Sequence, residues 1–236
     1  GYKQREGLDY NKTFTSTVNM QSVRIFLWMV AYYDLELCKV DIKTFFLYGE
    51  LEEDVFMRQP TGYVDATKVD FVCKLNKSLY GTKQAMRRAN RHLRGTLLKL
   101  NFIQLKCDDF VYIRWEGDDL VVLCNHVDDI AVGGSSVVCT KLFVAALRKY
   151  YTVTAELNPA VYLSLEIERD RENRWLKVHQ SGYVRGLAED FGVTQEPPRP
   201  IPFMTPDVPA PAKIVKETDF PYQQLVGSLL WVLKTR

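Results

Sequence analysis

The sequence predicts an α+β fold, an antiparallel sheet with helices on one face, and three observations carry that prediction. Apolar runs at Phe110–Trp115, Leu120–Cys124 and Ile130–Val132 follow one another closely enough for a three-stranded antiparallel meander, and Glu116-Gly117-Asp118-Asp119 makes the first turn. Amphipathic helical spacing recurs on either side of that meander. The order helix, strand, helix, strands, helix belongs to layered elements rather than to alternating β-α units.

Taken along the chain, residues 1–18 are polar and turn-prone, and Met20–Asp34 follows as a helix that the Asn19 side chain can cap. Val23, Phe26, Leu27, Val30 and Ala31 share one face. Ile25, Trp28 and Met29 make the other faces apolar, so this helix is expected to be buried nearly all round, with Trp28 and Met29 in the core. Leu37–Ile42 alternates Cys38, Val40 and Ile42 with Lys39 and Asp41, a half-buried strand with Asp41 on the less apolar face. Phe45-Phe46-Leu47 and a Tyr48-Gly49 loop come next. Val55–Met57 and Phe71–Leu75 read as short strands around a polar loop containing Pro60 and Gly62.

A helix from about Thr82 to Leu100 turns Leu93, Leu97 and Leu100 inward and gathers Arg87, Arg91 and Arg94 on another face. Leu142, Phe143, Ala146, Leu147 and Tyr150 mark a further helix, with Ser136 its candidate cap. Val161, Leu163, Leu165 and Ile167 alternate with polar residues as one amphipathic strand, which Asp170–Asn173 turns toward Trp175–Val178. Tyr183–Phe191 is a short helix between Ser181 and Gly192. Residues 197–211 hold seven of the ten prolines and read as an extended connector. Phe220–Arg236 is a last helix whose interior is Leu225, Leu229, Leu230 and Trp231. There is no internal repeat.

The chain has 236 residues, 47% hydrophobic and 25% charged, ordinary values for one large globular domain or two small ones. A net charge of +2 says nothing about partners, but its distribution does. Residues 71–107 contain no acid and nine basic residues, the footprint of a polyanion-binding surface. The face formed by Arg87, Arg91 and Arg94, without acidic partners at helical spacing, favours phosphate contact over mere solvation. Five cysteines stand far apart with no Cys-x-x-Cys and read as buried thiols of a reducing compartment. No apolar run approaches the ~18 residues that span a bilayer, so no membrane is expected as a partner.

The chemistry concentrates at LVVLCNHVDDIAVGG, residues 120–134. Of three Asp-Asp pairs, Asp108-Asp109 and Asp118-Asp119 lack strand-like sequence closely on both sides, whereas Asp128-Asp129 sits at the tip of a hairpin between two apolar runs. Adjacent carboxylates repel, and hard oxygen donors held together suit a divalent cation such as Mg²⁺. A solvated acidic turn is the other reading of the pair. Asp41, at a strand end before a tight turn, is a second place for a ligand group or a plain turn carboxylate. Spacing alone does not bring the two acidic sites together.

Five segments in order, KVDIKTFFLYGEL, KLNKSLYGTKQAMR, HVDDIAVGG, LSLEIERD and YQQLVGSLL, together with the N-terminal GYKQREGLDYNKTFTSTV, resemble the reverse transcriptase of copia-type LTR retrotransposon polyproteins. The resemblance covers almost the whole chain. It implies a right-hand polymerase palm, with partial fingers and palm over residues 1–158 and the palm end, a thumb-like region and a connection over 159–236. It implies Asp41, Asp128 and Asp129 as catalytic carboxylates holding two Mg²⁺ ions, or Mn²⁺, with Asp129 in support. Phe46 falls at the steric-gate position, and Tyr80 and Gly81 match the segment lining the deoxynucleotide pocket. Lys83, Arg87, Arg91 and Arg94 would then follow the phosphates of an RNA or DNA template-primer.

The implied partners include the RNase H and integrase regions of the parent polyprotein, and the implied location is a cytoplasmic virus-like particle or the nucleus. The sequence departs from the family pattern in three places. His126 stands where the family usually has Tyr, Phe45-Phe46-Leu47-Tyr48-Gly49 where it has Ala-Phe-Leu-Asn-Gly, and Gln84-Ala85-Met86-Arg87-Arg88-Ala89-Asn90 where it has Gln-Ala-Pro-Arg-Ala-Trp-Tyr. With a further fingers portion expected upstream of Gly1, these changes leave two readings. One is an RNA-directed DNA polymerase, expected to be a truncated fragment; the other is a catalytically inactive nucleic-acid-binding remnant of a decayed copy. A metal-dependent nuclease using the same acids leaves Phe46 and Tyr80-Gly81 without a role.

Overall fold

Six antiparallel strands make the main sheet of the computed structural model, which describes residues 1–13, 15–193 and 220–234. In chain order the first elements are α1 (Met20–Tyr32), β1 (Glu36–Ile42), a 3₁₀ turn at Phe45–Tyr48, β2 (Glu50–Arg58), β3 (Val72–Lys77) and α2 (Ala85–Lys99). Then come β4 (Ile103–Gln104), β5 (Val111–Glu116), β6 (Asp119–His126), β7 (Asp129–Gly134), α3 (Val137–Leu147) and β8 (Val153–Leu157). The main sheet runs β4-β5-β6-β7-β1-β8, so β1 arrives early in the chain and is inserted between strands made about a hundred residues later. β2 and β3 pair separately as a two-stranded ribbon.

The predicted meander is present as β5, β6 and β7, paired in sequence order. The helices, however, cover both faces of the sheet rather than one. Cys38, Val40 and Ile42 of β1 share a core with Ala89, Leu93 and Leu97 of α2 and with Phe143 and Leu147 of α3. On β7, a methyl group at Gly134 would strike Thr140 of α3, while one on the adjacent Gly133 would meet Phe26 and Val30 of α1. Successive strand residues point to opposite faces, so α1 and α3 lie on opposite sides. Leu120–Cys124 is buried at every position for this reason, and such a continuous apolar run is the mark of a strand covered twice.

The Asn19 side chain accepts a hydrogen bond from Gln21 N and caps α1 as the sequence predicts. All-round burial of that helix does not hold. Val23, Phe26, Leu27 and Val30 are buried, but Ile25 and Trp28 are exposed and Met29 is half-buried, because α1 gives one face to the sheet. Trp28 stacks on Tyr32 at 4.8 Å and meets Tyr33 edge-on, forming a small aromatic surface of their own. Arg169 closes the C-terminal end of α1 by donating to the carbonyls of Val30 and Leu35 and to Asp34. Of the cysteines, Cys38, Cys124 and Cys139 are buried free thiols, whereas Cys107 is exposed.

The later elements are β9 (Val161–Tyr162), β10 (Leu165–Asp170), β11 (Trp175–His179), α4 (Ser181–Asp190) and α5 (Tyr222–Lys234). The single strand expected over 161–167 is a hairpin. Leu163 and Ser164 both take left-handed backbone, with φ of 50° and 62°, and Leu165 pairs back on Tyr162. A two-residue turn with both central residues left-handed normally calls for Asn or Gly, so the intact alternation of side chains concealed it. The proline-rich stretch 197–211 lies outside the described residues. Leu225 of α5 is half-buried, but Leu229 and Leu230, expected inside, are exposed.

The chain divides into two compact units, Gly1–Pro159 with Arg169–Leu176, and Ala160–Glu168 with Lys177–Arg236. The core described above belongs to the first. Among the described residues no helix is long and apolar enough to cross a membrane.

Phe45, fully buried in the 3₁₀ turn, anchors β1 to α2. We expect Phe45→Ala to cost about 3–5 kcal/mol through the cavity it leaves, read as a lower urea midpoint at unchanged slope.

Candidate active site

β1 and β7 pair in a register that sets Asp41 directly opposite Asp129. Antiparallel partners of this kind have Cα atoms about 4.5–5.5 Å apart, so residues 88 positions apart in sequence become neighbours. Because Val40 and Ile42 face the core under α2, Lys39 and Asp41 face the other side of the sheet. On the far side of β1, Thr154 of β8 is opposite Asp41, and its hydroxyl lies 3.4 Å from Asp41 Oδ2.

Asp128 occupies the turn between β6 and β7, where His126 pairs with Asp129 and only Val127 and Asp128 lie between them. Val127 has φ of 59°, a left-handed conformation unusual for a β-branched residue. The Ile42 N–H donates to the Asp128 carbonyl at 3.0 Å and ties the turn to the end of β1.

Lys39 was not singled out by sequence reasoning, although period two places it on the same face as Asp41. Its Nζ is 3.4 Å from Asp129 Oδ1, with both side chains partly exposed. Burial raises the Asp129 carboxyl above the usual aspartate range; Lys39 opposes that rise, while Asp128 and Asp41 add to it. The structure thus brings two of the three predicted carboxylates into register and puts the third on the joining turn. Among the described residues, however, no group of three or more His, Cys, Asp or Glu is placed to hold a metal, and the expected trio is not assembled as one ligand set. Asp41 and Asp128 have no ion-pair partner among the described residues, and their hard oxygens fit a divalent cation in chemistry and in charge.

The predicted nucleotide-binding residues come together beside β1. Phe46, in the 3₁₀ turn that follows Asp41, meets Tyr80 edge-to-face at 4.7 Å. The Ser78 hydroxyl donates to the Phe46 carbonyl and the Ser78 N–H donates to the Gly49 carbonyl, fastening the loop that carries Tyr80 and Gly81. Gly81 takes φ of +85°, which a side chain would strain. At Gly49 a methyl group would come within 2.8 Å of the backbone nitrogen of Ala89 and of Arg88 Cβ, so the close approach of turn and helix needs glycine there.

The basic residues are differently placed. Lys83 precedes α2 and is exposed, with its backbone N–H bonded to Gln4. Arg87, Arg91 and Arg94 border a cleft that Asn125 also lines. Asn125 alternates in phase with Val121 and Leu123, which belong to the core under α2, so these arginines open on the face opposite Asp41. They do have acidic neighbours, contrary to the sequence reading, and these come from β2 rather than from the helix. Arg91 pairs with Glu52 at 2.6 Å. Arg88, nearly buried, pairs with both Glu52 and Glu53. His92 is a packing residue, 2.7 Å from the Tyr151 hydroxyl, and His179 bonds Glu168.

The family of reverse transcriptases (RNA-dependent DNA polymerases) matches residues 1–205. The chain belongs to the reverse transcriptase family. It is 31% identical over 242 residues to the retrovirus-related Pol polyprotein from transposon TNT 1-94 of Nicotiana tabacum, covering 99% of this chain and 18% of that protein. To the corresponding polyproteins from transposons RE1 and RE2 of Arabidopsis thaliana it is 32% and 30% identical, over all of this chain and 16% of each. These are relatives of the copia type that the motifs resemble. This reverse transcriptase chain therefore spans less than a fifth of the length of those polyproteins. No solved structure matches it.

A carboxylate raised by burial binds its proton more tightly in the folded state, so the charged form weakens the fold as pH rises through the folded value. Asp129→Asn should accordingly unfold at higher urea than the parent at pH 7 in EDTA. The gap should close near pH 3, where both forms are neutral.

Proposed function

We propose that this chain extends a primer 3′-hydroxyl with deoxynucleotides on an RNA or DNA template, as the polymerase portion of a copia-type retrotransposon polyprotein. The observation that carries the reading is the register of Asp41 against Asp129, with the Phe46–Tyr80 pair at the turn into which β1 runs. Residues 1–158 would serve as partial fingers and palm, and residues 159–236 as the palm end, a thumb-like region and a connection.

In this reading Asp41 and Asp128 hold the catalytic cations, with Asp129 in support and in exchange with Lys39. Two Mg²⁺ ions, or Mn²⁺, would there activate the primer hydroxyl as a nucleophile and neutralise the leaving pyrophosphate. The protein's own part is positional. Thr154 and the bond from Ile42 to the Asp128 carbonyl fix the carboxylates before substrate arrives. Phe46 sets its ring against the sugar and excludes a 2′-hydroxyl, Tyr80 supports that ring from the side, and Gly81 lets the backbone approach the incoming nucleotide. Lys83, Arg87, Arg91 and Arg94 neutralise phosphates of the bound strands. RNase H and integrase regions of a parent polyprotein are the proposed covalent partners, and a cytoplasmic particle or the nucleus the proposed location.

Primer extension on an RNA template with Mg²⁺ and deoxynucleotides tests the reading. Asp41→Ala and Asp128→Asn should each lower extension by about a thousandfold while leaving duplex binding in EDTA unchanged. Phe46→Ala should raise ribonucleotide incorporation relative to deoxynucleotide by about tenfold or more. Extension that survives Asp41→Ala removes this residue from the mechanism; template-primer binding with no extension in the parent chain favours the inactive binding remnant.

A further inference from the structure

The face of the sheet turned away from the carboxylates carries a cleft of about 490 Å³, within the size range of small-molecule sites. Arg87, Arg91 and Arg94 form one side, at helical spacing along two turns of α2. Gln104, on the edge strand β4, and Tyr112, on its neighbour β5, form the other, with Asp109 also among the lining residues. Arg94 donates its Nε to Gln104 Oε1 at 2.8 Å, which holds its guanidinium in place across the cleft.

Asn90 of α2 and Asn125 of β6 meet in this cleft. Asn125 Nδ2 donates to Asn90 Oδ1 at 3.3 Å, and the remaining atoms, Asn90 Nδ2 and Asn125 Oδ1, are buried without a partner among the described residues. Turning both amides over would exchange the atoms without changing the result, since one donor and one acceptor are always left over. Asn125 is 2% exposed, so bulk water does not satisfy it freely. Unpartnered buried polar atoms are costly and call for an explanation. A bound group offering an acceptor beside a donor would supply one.

The row of guanidinium groups, although Arg91 also pairs with Glu52, makes that wall the cationic side on which a phosphate would sit, and the amide pair asks for a group that presents a donor and an acceptor together. A nucleobase edge has that pattern, and a phosphodiester alone does not. Asp109 repels anions and confines a phosphate to the arginine side. We propose that this cleft binds one nucleotide of a single-stranded nucleic acid, its phosphate on the Arg87–Arg94 wall and its base edge on the Asn90–Asn125 pair. The site would be separate from the carboxylates that act on the primer. The inference rests on the polymerase reading only for its class of ligand, a nucleic-acid strand.

The test is binding of a short fluorescent single-stranded RNA to the full chain in EDTA, where metal-dependent binding at the carboxylates is silent. Asn90→Leu and Asn125→Leu should each weaken binding about fivefold without changing its salt dependence. Arg94→Gln should weaken it and reduce the slope of log affinity against log salt by about one. Photo-crosslinking with 4-thiouridine RNA should label peptides containing Arg87–Arg94 or Gln104–Tyr112, a readout that survives if a variant folds poorly. Unchanged affinity in both asparagine variants, or adducts confined to the Asp41 and Tyr80 peptides, overturns the proposal. Uridine monophosphate should compete better than inorganic phosphate and less well than the strand. Equal competition by phosphate overturns base recognition, and competition by the free nucleotide as strong as by the strand overturns the strand as ligand. Failure of primer extension with crosslinking retained would remove the polymerase reading and leave this one standing.

Discussion

The pairing of β1 with β7 and β8 governs every other feature of chemical interest. β1 meets both its neighbours in the main sheet across roughly 90 to 120 residues of chain, and its register decides which acids meet. A slip of one residue would send Asp41 into the core and Val40 to the surface, because strand side chains alternate between faces. Cys38, Val40 and Ile42, all buried under α2 and α3, make that slip prohibitive. Hydrophobic burial on one face thus fixes the position of carboxylates on the other. The 3₁₀ turn inherits the same placement, since Phe45 enters the core directly and Phe46 is left beside Tyr80.

Four departures from the family pattern acquire a physical account in this setting. The motif places a large ring at Phe45 where the family has a small residue and a small residue at Ala89 where it has a large ring. Both are fully buried in one core cluster, which makes the two changes an exchange of volume that packing tolerates. Tyr48 packs against Tyr151 and His92, and its hydroxyl accepts the Thr152 N–H. Arg88 enters the space between β2 and α2 and is met there by Glu52 and Glu53. A buried cation without such partners would be strongly destabilising. Mutually supporting changes of this kind are those of a chain that keeps its fold.

Much of the architecture was legible from periodicity. The meander, the helix boundaries near Asn19 and Ser136, and the strand bearing Asp41 follow from alternation and capping residues, which are local signals. The site was legible in part, since the motifs named the acids but not their neighbours. Lys39 engages Asp129 across a strand pair, and Glu52 engages Arg91 across an unrelated ribbon; no spacing along the chain encodes either contact. The opposite facing of Asp41 and the α2 arginines was likewise hidden, because it depends on which side of the sheet each helix takes. α1 misled for the converse reason, as Trp28, Tyr32 and Tyr33 are apolar yet satisfy one another at the surface.

One local signal contradicts the structure it sits in, and it lies at the carboxylates. A two-residue hairpin whose first residue has positive φ ordinarily takes glycine there, and this chain has Val127. Left-handed backbone at a β-branched residue costs about 1–3 kcal/mol and persists only where the surroundings impose it. Here β6 and β7 are paired up to the turn on both sides, and the Ile42 N–H holds the Asp128 carbonyl from a third strand. Val127 also packs against the main core, so glycine would relieve the backbone and lose that contact. A glycine turn would carry Asp128 on a flexible hinge. A valine turn confines it to one position relative to Asp41, and the strain is the cost of that confinement.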